Sequence, residues 1–105
     1  MENLSFTLKA PAAAGGARSR AIVGVVASGN LEVLAERSSP AGACTVEIAT
    51  SAHGFGAVWQ AVVTDFVARR AAGGLRLSIN DGGARPDTVA LRLAQAVRLI
   101  EEPGA

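Results

Sequence analysis

The chain has 105 residues, half of them apolar, and its nine arginines and one lysine nearly balance nine acids to leave a net charge of +1. That length allows one domain over residues 1–105, and the charge balance excludes the clustered positive face of a nucleic-acid binder. A lone cysteine excludes an internal disulfide, and the longest apolar run, residues 21–27, is far too short to span a bilayer. With no signal-peptide pattern either, these features predict a soluble, cytoplasmic protein that touches neither membrane nor nucleic acid. The absence of Tyr, with one Trp and three Phe, leaves the core to Val, Leu, Ile and Ala, while twelve glycines suit strands and turns better than a helical bundle.

Leu4, Phe6 and Leu8 alternate with Ser5 and Thr7, which predicts a strand with one wet face near a sheet edge. Residues 10–19, with Pro11 and Gly15-Gly16, read as a loop. Residues 20–27 are apolar on both faces and suggest a central strand. Ser28-Gly29-Asn30 interrupts the run, and residues 31–36 return as its hairpin partner. A two-residue loop could be Ser28-Gly29 or Gly29-Asn30. The two registers put opposite faces inward, but either leaves Ser28 at or beside the tip.

Residues 38–42 form a turn, and residues 43–50 a strand whose apolar face carries Cys44, Val46 and Ile48. Cys44 there is a buried, inert thiol. The most convincing long helix is 57–72, with Val58, Val62 and Phe66 beside Trp59, Val63 and Val67 as a broad apolar stripe. Arg69 and Arg70 suit its last turn, and Gly73-Gly74 ends it. Leu75, Leu77 and Ile79 alternate as a strand. Asp81-Gly82-Gly83-Ala84-Arg85-Pro86-Asp87 then reads as a long hairpin loop. In residues 88–94, Val89, Leu91 and Leu93 alternate with Ala90, Arg92 and Ala94; a helix is possible, but the alternation favours a returning strand, followed by a short helix over 94–101. The expected fold is α+β: a two-layer domain, its mostly antiparallel sheet built from hairpins and packed by the 57–72 helix, plus the short C-terminal helix.

Ser28 carries the sharpest chemical possibility. A hydroxyl on a hairpin tip between small residues can be reached by a bulky partner enzyme, although serine in a turn usually serves the turn. The segment Val25-Val26-Ala27-Ser28-Gly29-Asn30-Leu31-Glu32-Val33-Leu34 resembles the acyl carrier (delta) subunit of bacterial malonate decarboxylase. The resemblance is dense over residues 22–34 and continues through Trp59-Gln60-Ala61 and the 81–86 turn, so it covers most of the chain. A more distant likeness is to the acyl carrier subunit of citrate lyase; the resemblance, not the chemistry of the residues, separates the two. Family members more often have an aspartate after Ser-Gly. Asn30 keeps the turn geometry and removes one negative charge.

The resemblance implies a non-catalytic carrier subunit in malonate catabolism. Its cofactor would be phosphoribosyl-dephospho-coenzyme A, a phosphopantetheine-like group attached covalently through a phosphodiester at Ser28, with Gly29 and Asn30 completing the site. The thiol of that group would carry acetyl and malonyl thioesters between a transferase subunit and a decarboxylase subunit, after a further enzyme has attached the group. No metal is implied. The chain has no D-S-L motif of the four-helix carriers. Arg20 and Arg37 lie at the open end of the hairpin, roughly 25 Å from the tip at strand spacing. They read as solvent-facing or partner-docking groups.

Two rival readings remain. Ser28 or Ser51 with His53 and Asp81 or Asp87 could form a hydrolytic triad, but no G-x-S-x-G elbow is present, and one His with one Cys falls short of a zinc site. Alternatively, the chain is a non-catalytic assembly subunit of a larger complex, docking through the two-faced strand and an exposed Trp59.

Overall fold

The computed structural model describes residues 1–102. Five strands, β1 (Glu2–Lys9), β2 (Arg20–Gly24), β3 (Leu31–Glu36), β4 (Ala43–Thr50) and β5 (Arg76–Asp81), form one sheet in the order β1-β4-β5-β3-β2. Helices α1 (Gly56–Arg69) and α2 (Pro86–Glu101) complete the α+β arrangement that the sequence predicts. Three of the four strand pairings are antiparallel; β4 and β5 run parallel, joined by the crossover through α1.

The period-two alternation of the strands sorts their side chains. Cys44, Val46 and Ile48 of β4, Leu77 and Ile79 of β5, and Leu31, Val33 and Ala35 of β3 are buried as one apolar layer. Against it pack Trp59, Val63, Phe66 and Val67 of α1 and Val89, Leu93, Ala96, Val97 and Ile100 of α2. Each large aliphatic side chain so buried contributes about 1.5–3 kcal/mol. The other face of the sheet is polar, where Arg76 pairs with Glu47 at 2.7 Å and Asn80 donates to Glu32 at 3.2 Å.

The hairpin expected over residues 75–94 does not form; residues 88–94 are helical, inside α2. β5 is paired on both sides, with β4 and β3, so no free edge is left for a returning strand. The buried positions of α2 recur at spacings of three and four, and Pro86 occupies its first turn, where a missing N–H costs nothing. Leu91, which completed the alternation, is 56% exposed. The two-faced run is likewise not central: β2 is an edge strand that stops at Gly24, and Ile22, Val25 and Val26 are exposed. α1 ends at Arg69, three residues before the expected stop, because Arg70 is already extended. The loop over residues 10–19 is pinned rather than free: Ala14 N–H donates to Gly73 O at 3.0 Å, and Gly73 N–H to Ala12 O at 2.9 Å.

Candidate functional site

The connection between β2 and β3 is longer than a two-residue loop. Within it, Asn30 N–H donates to Ala27 O at 2.9 Å, closing a four-residue turn with Ser28 and Gly29 at its centre. Gly29 has a φ of 75°, the positive value that the third position of a type II turn demands. Ser28 is exposed, and a Cβ added at Gly29 would meet nothing within 4 Å, so the corner is open on its outer side.

The inner side of this turn is held firmly. Gly29 N–H donates to Gly82 O at 2.9 Å, and Gly82 N–H donates to Asn30 O at 2.8 Å. A side chain at Gly82 would run into the carbonyl of Ala27, so the two backbones can meet this closely because residue 82 is glycine. The Asn30 side chain accepts from Leu31 N–H at 2.8 Å and fixes the start of β3.

Gly82 is itself placed by Asp81, the last residue of β5. The buried Asp81 carboxylate accepts from the Thr50 hydroxyl and from Ala84 N–H, each at 2.8 Å. Thr50 accepts from Ala52 N–H at 3.1 Å, and Ser51 N–H donates to Asp81 O at 3.1 Å. Buried polar groups are costly unless partnered, and this set is mutually satisfied. A chain of bonds thus runs from the ends of the central strands β4 and β5 through Gly82 to the turn. The result is a rigid mount for an outward-facing hydroxyl.

From α2, Arg92 reaches the same turn. Its Nη2 lies 3.5 Å from Asn30 Oδ1 and its Nη1 donates to Gln95 at 3.1 Å. Neither Arg92 nor the supporting roles of Asp81 and Gly82 were apparent from the sequence. The helical spacing Val89–Leu93–Ala96–Ile100, with Pro86 and Asp87 as a helix start, is the signal that could have found Arg92.

The components of the hydrolytic triad are not assembled. Asp81 is committed to Thr50 and Ala84, Asp87 lies 3.5 Å from Arg85, and His53 is exposed in the loop before α1. Trp59 is buried, so it offers no exposed docking surface. Arg37, expected to face solvent or a partner, donates instead to the backbone carbonyls of Arg18 at 2.6 Å, Ala14 at 3.3 Å, Ile100 at 3.0 Å and Gly15. Cys44 is fully buried, and that burial raises its thiol to about 11. Among the described residues no cluster of His, Cys, Asp and Glu side chains could hold a metal ion, and no helix is long and apolar enough to cross a membrane.

Comparison with known proteins is consistent across sequence and structure. Residues 18–100 match the family model described as malonate decarboxylase delta subunit (MdcD). The malonate decarboxylase acyl carrier protein of Bradyrhizobium diazoefficiens is 64% identical over 104 residues, 99% of each chain, and that of Xanthomonas euvesicatoria is 50% identical over 96% of each. A chain in the crystal structure of a Pseudomonas malonate decarboxylase hetero-tetramer in complex with malonate superposes with a TM-score of 0.83 at 38% identity, over 95% of this chain and 99% of that one.

Proposed function

The chain belongs to the malonate decarboxylase delta subunit family, and from that membership we propose that it is the non-catalytic acyl carrier of a cytoplasmic malonate decarboxylase, with Ser28 as the covalent anchor of its prosthetic group. The observation that carries this reading is the exposed Ser28 at the corner of a turn braced on its inner side by Gly82. An attaching enzyme needs a hydroxyl that it can surround, on backbone that does not give way. Ser28 and the open space outside Gly29 meet the first need, and the bonds to Gly82 meet the second.

The donor set fits a phosphoribosyl-dephospho-coenzyme A joined through a phosphodiester: a serine hydroxyl for the ester oxygen, Gly29 giving clearance, and Asn30 keeping the corner in shape. Such a group, when bound, supplies a thiol that carries acetyl and malonyl thioesters, of which the malonyl thioester loses carbon dioxide more readily than free malonate and leaves the acetyl thioester. This chain's own part is anchorage. A substrate tethered at Ser28 reaches neighbouring transferase and decarboxylase sites at an effective concentration in the millimolar range for a short flexible link. The exposed Val25 and Val26 beside the turn supply apolar surface on which those subunits can dock.

Intact mass of the chain, produced with and without the attaching enzymes, tests the reading. The expected result is an adduct mapping to Ser28, absent from Ser28→Ala, with malonate decarboxylation by the assembled complex reduced to background while the thermal midpoint of the variant is unchanged. A bare Ser28 in a fully active complex would overturn the carrier role and leave an assembly subunit.

A further inference from the structure

Arg92 is the cation that meets the Ser28 turn, and among the described residues no carboxylate forms an ion pair with it. Its two side-chain contacts, Gln95 Oε1 and Asn30 Oδ1, are neutral amide oxygens. The ion pairs of the described residues engage Arg18, Arg69, Arg76 and Arg85 instead. Glu32, which follows Asn30 and Leu31 in the chain, points to the opposite face of the sheet, where it accepts from Asn80. The Nε–H of Arg92 is buried without a partner, and a Cβ added at Gly24 would lie 3.2 Å from that nitrogen. A Cβ at position 24 would collide first with the carbonyl oxygen of Leu31, and the half-buried guanidinium packs beside this glycine, between α2 and the β2–β3 connection.

A half-buried cation that meets only neutral acceptors favours an anion, and the planar guanidinium fork suits phosphate oxygens. Each Nη carries two N–H groups, so those not given to Gln95 and Asn30 remain to donate. Asn30 contributes by being an amide: it orients the guanidinium without cancelling its charge. We propose that Arg92 binds the anionic phosphodiester that joins Ser28 to its prosthetic group, making the turn and the adjoining part of α2 a phosphate subsite. This inference rests on the carrier reading above. Arg92 acts there as a positioning residue, holding the root of the attached group against the carrier without touching its distant thiol.

The test uses the full chain loaded by the attaching enzymes, with mass spectrometry first establishing occupancy at Ser28. In the wild type, loading should move the Arg92 Nε–H resonance while those of the exposed Arg69 and Arg85 stay in place. Arg92→Gln should shift the phosphorus resonance of the seryl phosphodiester and raise its rate of cleavage by a phosphodiesterase about tenfold at low salt. Arg92→Lys should recover part of that protection. A loaded Ser28 whose phosphorus resonance and cleavage rate are the same in wild type and Arg92→Gln overturns the subsite and leaves the carrier role standing. A wild-type Ser28 that takes no adduct overturns both. If Arg92→Gln does not fold, the wild-type Nε–H resonance decides alone: movement on loading supports the subsite and constancy overturns it.

Discussion

The two ends of the sheet solve one problem with opposite outcomes. At each, irregular backbone leaves carbonyl and amide groups that need partners, and at each one charged side chain collects them. Arg37 gathers carbonyls of Arg18, Ala14, Gly15 and Ile100, tying the 10–19 loop and the end of α2 inward. Asp81 gathers the Thr50 hydroxyl and Ala84 N–H, and through Gly82 it holds the Ser28 turn outward. Closure and display thus use the same device. What differs is glycine and exposure: Gly73 lies close against the backbone of Ala12 and Ala13 at the closed end, whereas Gly29 faces open space at the other.

The largest expected effect that would sharpen this contrast is at the closed end. Arg37→Ala removes donors from four carbonyls and should cost about 3 kcal/mol, lowering the thermal midpoint by roughly 10–20 °C in a circular dichroism melt. Loading of Ser28 at low temperature should be unaffected. Asp81→Asn should cost less, about 1–2 kcal/mol, but act on the display end, speeding hydrogen exchange at Gly29 and Gly82 while the 10–19 loop keeps its protection. Equal stability losses and indistinguishable exchange patterns in the two variants would break the contrast.

Gly29→Ala forces a side chain to a φ of 75° with no clash, so about 1 kcal/mol of strain should stay within the turn, slowing loading more than it lowers stability. The smallest effect concerns Cys44, near the closed end. With its thiol raised to about 11 against an ordinary value of 9.0, the folded chain should resist thiol reagents at pH 8 and react once unfolded. The same shift makes the unfolded thiol release its proton first. The unfolded state therefore binds fewer protons, and stability should decline as pH rises from about 9 toward 11.

Much of the sheet was legible because alternation with one wet face is a strong signal. Leu4-Phe6-Leu8 and Cys44-Val46-Ile48 did become neighbouring strands, and the helix beginning near Ala57 was visible in its apolar stripe. Residues 88–94 misled because Leu91, an exposed helix residue, falls in step with Val89 and Leu93. Pairing decided that case: β5 takes β3 and β4 as neighbours, a long-range fact that local periodicity does not contain. Reading that segment as a strand also hid Arg92, since its reach to Asn30 exists only when α2 packs across β2 and β3. Ser28 could be singled out locally, but its brace could not, because Gly82 lies more than fifty residues away in the chain.

The β2 border has a consequence for how the subunit is handled. Its outer row of backbone groups has no neighbouring strand, and Ile22 there is 59% exposed, with Val25 and Val26 following at 58% each. The opposite border, β1, turns Asn3, Ser5, Thr7 and Lys9 toward water. The β2 border is therefore more adhesive than the β1 border. Made alone at high concentration, the chain should self-associate along the β2 flank.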